Sequence, residues 1–302
     1  MAGVTTTVTV FGSCNMDLVA YVPTAPGRGE TVLGREFRTA PGGKGANQAV
    51  AAAKAGARTR MIGAVGDDEF GDRITRNLRE STVDVAGMRV VPGASGTAHI
   101  VVDDAGANSI VVVPGANAAL DDLADGDDRV LDESDCLLLQ LEIPLPGVAA
   151  AARAARRRGA RVVLTPAPAA ELPAELLADV DLLVPNEHEA AVLTGSAEPR
   201  EALRGLLELV GEAVITRGSA GSVYGNRDGD VVEVPAFPVP AVDTTAAGDT
   251  FAGVLATELG AGSPVERAMR RAAAASALSV QRNGATAAMP ERAEVDRFLS
   301  ER

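Results

Sequence analysis

Apolar and polar positions follow two different patterns along this chain. Residues 4–12 are rich in β-branched side chains and end at Gly12, which predicts a buried first strand. From about residue 134, continuously apolar runs such as CLLLQL and DLLVP alternate with alanine-rich segments of helical character. Alternating strands and helices predict right-handed crossovers and a parallel sheet that helices cover on both faces.

Short strand-like segments in the first third of the chain follow a different pattern. Residues 18–23 and 30–38 predict a small antiparallel pair, and a second group of short strands is predicted at 88–92, 97–103 and 108–113. We therefore expect a small sheet that lies apart from the main one. The other predicted strands are 58–66, 134–142, 160–167, 178–186 and 212–218. The predicted helices are 47–56, 67–81, 148–159, 187–195, 198–211, 247–260, 264–282 and 290–300.

The 302 residues contain no internal repeat, low-complexity tail or flexible linker, so we expect a single domain over residues 1–302. An apolar fraction of 46% suffices for a sizeable core. Trp is absent and aromatic residues make up only 3%, so that core is aliphatic. Cys14 and Cys136 lie in apolar surroundings and are expected to be buried, reduced thiols rather than a disulfide or a metal site.

The charge balance argues against nucleic acid and membrane partners. With 28 basic and 41 acidic residues the formal net charge is −13, which repels nucleic acid and anionic lipid at long range. The N-terminus lacks the basic and long apolar regions of a signal peptide, and no apolar run is long enough to span a bilayer. These features predict a soluble, cytoplasmic protein.

The segment VDTTAAGDTFAGVLA, residues 242–256, carries the strongest chemical signal. At a helix N-terminus, the backbone N–H groups of Ala246, Ala247 and Gly248 can receive an anion. The carboxylate of Asp249 can then take a proton from a hydroxyl held beside that anion. Transfer of a phosphoryl group to an alcohol requires this pairing. Taken alone, Asp249 can also be a favourable charge in a helix first turn.

Four further polar clusters follow predicted strands, where ligands bind in an open parallel sheet. Each has a structural explanation when it is taken alone, because polar residues also form turns, cap helices and cover surfaces. The clusters are Asn15 with Asp17 (turn formers), Glu142 (a surface charge), Asn186 with Glu187 and Glu189 (a helix cap) and residues 216–221 (a turn). Their joint placement with Asp249 favours a binding site.

The glycine-rich segment GGKGANQ invites a nucleotide-binding interpretation that fails on its spacing. A Walker A loop requires Ser or Thr after its lysine, and Lys44 is followed by Gly45. The segment predicts either a tight turn into a helix or a close approach to a hydroxylated ligand, with Lys44 and Asn47 as donors. GAVGDDEFG likewise misses the dinucleotide fingerprint, and His99 and His188 form no zinc or Ser-His-Asp pattern.

Six segments in this order resemble the ribokinase family of phosphofructokinase-B-type carbohydrate kinases: GSCNMD, APGGKGANQAVAAAKAG, LLQLEIP, PNEHEA, TRGSAG and DTTAAGDTFAG. The resemblance spans essentially the whole chain, and GGKGANQA followed much later by DTTAAGDTF is highly specific. It implies a ribokinase-like three-layer α/β/α core with a mainly parallel central sheet. It also implies a small β-sheet lid, built from about 17–40 and 96–113.

The resemblance implies ATP-dependent phosphorylation of the 5-hydroxyl of D-ribose, which gives D-ribose 5-phosphate and ADP. Asp249 matches the catalytic base, and Ala246, Ala247 and Gly248 match an anion hole for the transferring group. Sugar-binding positions are matched by Asn15, Asp17, Gly43, Lys44, Gly45, Ala46, Asn47, Glu142 and Asp249. Nucleotide-binding positions are matched by Asn186, Thr216, Arg217, Gly218, Ser219, Ala220, Gly221, Gly248, Asp249 and Ala273.

The same resemblance implies Mg²⁺ and K⁺ as cofactors. Glu189 completes an N-x-x-E element that handles Mg²⁺ and phosphate, through water. The K⁺ positions contribute mostly backbone carbonyls and are matched by Asp243, Thr245, Ser279, Arg282, Gly284 and Ala288. Ala273 departs from the polar residue that some members carry near the adenine, which leaves base selectivity open. Exposed edge strands of the lid favour a homodimer.

Two other functions stay open. One is the same chemistry with another sugar or a nucleoside as acceptor, because the shape of the pocket is not visible in the sequence. The other is a non-catalytic sugar-binding regulator, against which the intact Asp249 segment argues. An NAD-dependent oxidoreductase is disfavoured because the dinucleotide fingerprint is missing.

Overall fold

The computed structural model describes residues 5–302. Residues 1–4 lie outside the described residues. The segment examined for a signal peptide begins with them, and the predicted first strand begins at residue 4. The strands are β1 (Thr7–Phe11), β2 (Asn15–Tyr21), β3 (Glu36–Gly42), β4 (Arg58–Gly66), β5 (Asp84–Val91), β6 (Gly96–Val102), β7 (Asn108–Val113), β8 (Cys136–Leu139), β9 (Arg161–Leu164), β10 (Leu182–Leu183), β11 (Glu212–Thr216), β12 (Ser222–Asn226) and β13 (Val231–Val234).

The α-helices connect these strands and close the chain. They are α1 (Lys44–Lys54), α2 (Glu69–Glu80), α3 (Asp127–Leu131), α4 (Leu145–Arg157), α5 (Ala174–Leu177), α6 (Glu187–Thr194), α7 (Pro199–Leu209), α8 (Ala247–Gly260), α9 (Val265–Ser279) and α10 (Arg292–Ser300). The predicted helix over 247–260 is confirmed at both ends, whereas the one predicted over 264–282 ends at Ser279.

Nine strands form the main sheet, in the order β13-β12-β11-β10-β9-β8-β1-β4-β5. All pairs from β11 to β5 are parallel, and β12 and β13 are added antiparallel at one edge. The mainly parallel sheet that the strand–helix alternation predicts is therefore confirmed. The β12–β13 hairpin adds to the predicted elements; strands this short show too little periodicity to be recognised in a sequence.

Side chains of the main sheet alternate between two aliphatic cores. On β1, Val8 and Val10 face one core and Phe11 faces the other; on β8, Leu138 and Leu139 divide in the same way. Helices α1, α2, α8, α9 and α10 cover the first core, and α3 to α7 cover the second. Each fully buried aliphatic side chain contributes ~1.5–3 kcal/mol, so these two cores hold the three α/β/α layers together.

A separate four-stranded sheet has the order β3-β2-β6-β7 and is called the small sheet below. Strand β2 pairs antiparallel with β3 and parallel with β6, as expected for a sheet built from two separated segments. The prediction for residues 88–92 was wrong. These residues end β5, which pairs in parallel with β4 at the edge of the main sheet. The crossover through α2 returns the chain to that edge, where Met88 packs against the core.

Both cysteines are fully buried and reduced, as the sequence predicts. Burial raises the pKa of each thiol to about 12, and for Cys14 the nearby Glu142 carboxylate adds to the effect. Both thiols therefore stay protonated at neutral pH. Over the described part of the chain, none of the helices has the length and apolar character needed to cross a membrane.

Candidate active site

The carboxyl ends of β1 and β8 meet the N-termini of α1 and α8 at one edge of the main sheet. Gly43 precedes α1 with a φ of 89°, a left-handed value that favours glycine. This backbone geometry lets α1 begin directly after β3, so that Lys44 to Asn47 form its first turn. Asp249 lies in the first turn of α8.

Both oxygens of the Asp249 carboxylate accept hydrogen bonds from α1. Asn47 Nδ2 donates to Oδ2 at 3.1 Å, and Gln48 Nε2 donates to Oδ1 at 3.1 Å. The two helices come this close because Gly253, one turn further along α8, lacks a side chain. A Cβ on Gly253 would lie 2.6 Å from the Cβ of Ala51. Only 9% of Asp249 is exposed.

Glu142 is held by three donors on one of its oxygens. Oε2 accepts from Ser13 Oγ at 2.6 Å, from the Lys44 backbone N–H at 3.1 Å and from Asn15 Nδ2 at 3.4 Å. Asn117 Nδ2 donates to Asn15 Oδ1 at 2.8 Å, which fixes the orientation of the Asn15 amide. Side chains from three distant segments, together with the backbone N–H of Lys44, therefore form one polar wall.

At two residues with predicted sugar contacts, the backbone N–H already donates a hydrogen bond within the protein. The N–H of Gly45 donates to Ser13 Oγ at 3.2 Å, and the N–H of Ala46 donates to Ser13 O at 2.9 Å. Ala46 is also buried. The two residues support the turn into α1, and a direct contact between them and a sugar stays a prediction.

Acidic groups dominate the electrostatics of this wall. Burial raises the pKa of Asp17 to about 7, with repulsion from Glu142 and Asp249 as further causes. Burial opposes the charge of Lys44, but attraction from Asp249, Glu142, Glu189 and Asp17 outweighs it and raises the pKa of Lys44 above its ordinary value. Lys44 is therefore a permanently charged donor at the centre of four carboxyl groups.

A cavity of about 560 Å³ opens on the other side of the α8 N-terminus. Ala247 and Gly248, the two residues that precede Asp249 in the sequence, line it. Its other walls are largely apolar, with Phe237, Val239 and Phe251 among them, as is usual for a site that encloses a ring system. The residues with predicted nucleotide contacts that line it are Thr216, Gly218, Ser219, Gly221, Gly248 and Ala273.

Besides Asp249, three residues with predicted nucleotide contacts do not line this cavity. Arg217 directs its guanidinium to Glu233 on β13, at 3.2 Å, and Ala220 lies in the turn after it. Asn186 caps α6, where its Oδ1 accepts from the Glu189 N–H at 2.8 Å. Contacts from these three residues to a nucleotide stay predictions.

Ala246 has the left-handed backbone that a non-glycine residue rarely adopts, with φ 57° and ψ 18°. Such a conformation costs on the order of 1–2 kcal/mol, and costs of this kind concentrate at functional sites. Ala246 lies directly before the first turn of α8, in which the Ala247 N–H donates to the Thr244 carbonyl at 3.2 Å; an anion-binding role for the N–H groups at this helix end stays a prediction. An anion placed there meets the positive end of the helix dipole.

Glu189 is a partly buried carboxylate at the start of α6. Burial raises its pKa above the ordinary value, although hydrogen bonding from Asn186 opposes the shift. Across residues 5–302, no three His, Cys, Asp or Glu residues cluster closely enough to enclose a metal ion. A carboxylate such as Glu189 can hold Mg²⁺ through water, because Mg²⁺ keeps several waters and binds mainly to phosphate oxygens; the site itself stays a prediction.

Two loops near the α8 N-terminus contain the positions predicted for K⁺. The Asp243 carboxylate joins them, because Oδ1 accepts from the Thr245 N–H at 2.9 Å and Oδ2 from the Gly284 N–H at 2.8 Å. These bonds lower the pKa of Asp243 despite its partial burial, which acts in the opposite direction. Lys54 Nζ donates to the carbonyl of Met289 at 2.8 Å and so supports the second loop.

Side chains at three of the K⁺ positions serve other purposes. Ser279 Oγ donates to Ser276 O at 2.9 Å, Arg282 pairs with Glu294, and Ala288 is buried. Any contribution of these residues to a cation comes from backbone carbonyls, as the resemblance implies. The donor type suits K⁺, but the site itself stays a prediction.

Sequence reasoning did not identify five buried polar residues that belong to the site: Ser13, Gln48, Asn117, Gln140 and Thr165. A weak signal was present for two of them. Gln140 interrupts the apolar run CLLLQL, and Gln48 stands among alanines in α1. A polar residue inside an apolar run is buried only with a hydrogen-bonding partner. The partners lie in other segments and cannot be read from the local pattern.

The sequence matches the pfkB family of carbohydrate kinases over residues 5–292. Because this match covers almost the whole chain, the protein belongs to the pfkB carbohydrate kinase family. Curated relatives support the assignment. The chain is 43% identical over 300 residues to the ribokinase of Bacillus subtilis, covering 97% of this chain and 99% of that protein.

Other relatives include a deoxyribokinase and ribokinases of known structure. The chain is 38% identical over 303 residues to a deoxyribokinase of Salmonella typhimurium, covering 97% and 98% of the two proteins. Among solved structures, Arabidopsis thaliana ribokinase in complex with ribose and ATP superposes with a TM-score of 0.92. That comparison has 32% identity and covers 98% of this chain and 99% of the other. The ribokinase-like fold is therefore confirmed.

Proposed function

We propose that this protein is an ATP-dependent D-ribokinase, which transfers the γ-phosphoryl group of ATP to the 5-hydroxyl of D-ribose. One observation carries the proposal. The buried Asp249 carboxylate lies at a helix N-terminus, between a polar wall of amides and carboxylates and a largely apolar cavity. A sugar needs the first environment and an adenine the second.

Different residues serve proton transfer, charge stabilisation and sugar binding. Asp249 takes the proton of the sugar hydroxyl as that oxygen attacks the γ-phosphorus. The backbone N–H groups of Ala246, Ala247 and Gly248 hold the negative charge that develops on the transferring group. Lys44 and Asn47 donate to the sugar, whereas Asp17 and Glu142 accept from its hydroxyls. ADP departs once the bond between the β,γ-bridging oxygen and the γ-phosphorus is broken.

We also propose Mg²⁺ and K⁺ as cofactors. Glu189 would hold Mg²⁺ through water, and the divalent ion would offset charge on the phosphates. The loops that Asp243 joins would hold K⁺ beside the N-terminus of α8. Both ions bring positive charge to a molecule whose net charge of −13 opposes the approach of ATP.

A second acceptor sugar deserves a test, because curated relatives of similar identity include both ribokinases and a deoxyribokinase. A panel of D-ribose, 2-deoxy-D-ribose, other pentoses and hexoses, and adenosine, followed by a coupled ADP assay with Mg²⁺ and K⁺, separates the candidates. We expect the highest kcat/KM for D-ribose. Higher kcat/KM on deoxyribose or adenosine would reassign the acceptor. Ribose binding without ADP formation would support a non-catalytic regulator.

The small sheet is proposed as a lid that closes over the sugar and pairs with a second copy of the chain. Strand β7 is exposed throughout, and it carries four consecutive apolar residues, Ile110 to Val113. An exposed apolar edge strand is a site for pairing with another chain. A homodimer through this edge would bury these side chains. The cytoplasmic location expected from the sequence stays a prediction.

A further inference from the structure

We propose that Gln48 is the positioning residue for Asp249, and that Gln140 and Thr165 hold Gln48 in place. This inference rests on the proposed role of Asp249 as the base. Gln48 follows Asn47 directly in α1, and the two amides bind opposite oxygens of one carboxylate. Two donors on two oxygens fix the plane of the carboxylate as well as its position.

Gln48 lies in the protein interior, so its role differs from that of Asn47, the proposed sugar donor. Gln48 is 1% exposed, and its neighbours Ala49 to Ala52 pack into the aliphatic core. A buried amide in such surroundings is costly unless its polar atoms are bonded. All of them are bonded here, so Gln48 acts on the protein and not on a substrate.

The partners of Gln48 determine which way its amide faces. Gln140 Nε2 donates to Gln48 Oε1 at 2.9 Å, so the nitrogen of Gln48 must point the other way. That nitrogen donates to Thr165 Oγ1 at 3.0 Å as well as to Asp249. Thr165 Oγ1 in turn donates to the carbonyl of Leu139, at 3.2 Å. Gln140 and Thr165, at the ends of β8 and β9, therefore orient the Gln48 amide on α1. That amide in turn orients the Asp249 carboxylate on α8.

An apolar replacement of similar length tests the inference. For Gln48→Met we expect kcat to fall by about 10- to 100-fold, the scale on which misplacement of a reacting group acts. We expect KM for sugar and for ATP to change little, because Gln48 is buried and bonds only to protein groups. The acid limb of the kcat–pH profile should move to higher pH, since a carboxylate with fewer donors ionises less readily.

Thr257→Val is the matched control for folding. Thr257 Oγ1 donates to Gly253 O at 2.8 Å and lies 3.5 Å from Ala52 O, so it is a buried polar contact between the same two helices. Its loss should lower Tm and leave kcat and the pH profile unchanged. Equal losses of kcat in Gln48→Met and Thr257→Val, or an unchanged kcat in Gln48→Met, would overturn the inference.

A conservative variant keeps the test decisive if Gln48→Met does not fold. In Gln48→Glu, the introduced carboxyl can still donate to Asp249 while it is protonated, and it repels Asp249 once it ionises. We expect activity near that of the wild type at acidic pH and a progressive loss as pH rises. A profile identical to that of the wild type would count against the inference.

The base role is tested separately by Asp249→Asn. If Asp249→Asn is inactive and Gln48→Met turns over normally, only the positioning role of Gln48 fails. If Asp249→Asn keeps the wild-type kcat, the proposed function of the site fails together with it.

Discussion

Asn47 and Asp249 lie 202 positions apart in the sequence, yet Asn47 Nδ2 donates to Asp249 Oδ2 at 3.1 Å. The bond joins the glycine-rich start of α1 to the first turn of α8. It also joins the proposed sugar donor to the proposed base. A substrate hydroxyl held by the first residue is therefore within reach of the second.

Replacing the base should separate chemistry from binding. We expect Asp249→Asn to lower kcat by about 100- to 10,000-fold, because an amide cannot accept the hydroxyl proton. Binding of ATP, measured by calorimetry, should stay close to that of the wild type, since the cavity walls are unchanged. Wild-type turnover in this variant would remove Asp249 from the base role.

Asp17 should make the stability of the unliganded protein depend on pH. The pKa of Asp17 is about 7 in the folded protein against an ordinary value of 3.8, so the unfolded chain loses this proton first. Between these two pH values the folded state holds more protons, and this group therefore destabilises the fold progressively as pH rises.

Asp17→Asn removes that dependence. The difference in Tm between the variant and the wild type should grow in favour of the variant from about pH 4 to pH 7 and level off above it. Thermal melts across this range measure it. A difference that stays constant with pH would show that Asp17 ionises normally in the fold.

The contact between α1 and α8 should not tolerate a methyl group. In Gly253→Ala the new Cβ would lie 2.6 Å from the Cβ of Ala51 and 2.7 Å from the backbone oxygen of Gln48, so the helices must separate. We expect a loss of ~1–3 kcal/mol in the free energy of unfolding, together with a lower kcat as Asp249 leaves Asn47. Denaturant melts and the ADP assay measure the two effects.

Gly211→Ala is the control for this change. The nearest atom to a Cβ at Gly211 is the Asp181 carbonyl oxygen, 4.0 Å away. Stability and kcat should therefore both remain near those of the wild type. A similar loss in the two alanine variants would contradict the packing argument.

Activation by a monovalent cation should depend on the Asp243 bridge. Li⁺ in place of K⁺ should lower kcat, because carbonyls spaced for K⁺ do not close around a smaller ion. Asp243→Asn can accept only one of the two backbone N–H bonds and should raise the K⁺ concentration for half-maximal activity. Titration of activity with KCl at constant ionic strength measures both. Equal rates in Li⁺ and K⁺ would argue against the site.

A charge on the apolar edge of the small sheet should disrupt the proposed dimer. Val111 on β7 is 63% exposed, so Val111→Lys should fold normally and sediment as a monomer. Val231→Lys is the matched control, since Val231 is 61% exposed on β13, one of the two edge strands of the main sheet. Sedimentation velocity distinguishes the outcomes. A monomeric wild-type protein, or a dimer that survives Val111→Lys, would contradict pairing through β7.

Local sequence patterns predict much of this fold. The apolar runs around Leu138 and Leu183 indicate strands that are buried on both faces, and the breaker-free run after Asp249 indicates a helix whose ends the structure confirms. Such features depend on neighbouring residues alone. The approach of Asn15 to Glu142 also follows, because strand ends in a parallel sheet share one edge.

Other features depend on partners that are distant in sequence. Nothing in an alanine-rich segment shows that Ala246 adopts a left-handed backbone, because alanine disfavours it and the surrounding packing imposes it. Gln48 and Gln140 are 92 positions apart, and neither has a local reason to be buried. The strand predicted over residues 88–92 was placed in the wrong sheet because its length and composition suit both sheets.

The two buried, protonated thiols can report on local or global opening of the fold. An alkylating reagent reacts only with a thiolate that solvent can reach, so neither cysteine should be labelled until the surrounding structure separates. Cys136 belongs to a central strand and would register cooperative unfolding. Cys14 lies between β1 and β2, where the small sheet joins the core. Faster labelling of Cys14 than of Cys136 would show that the small sheet separates from the core while the main sheet stays folded.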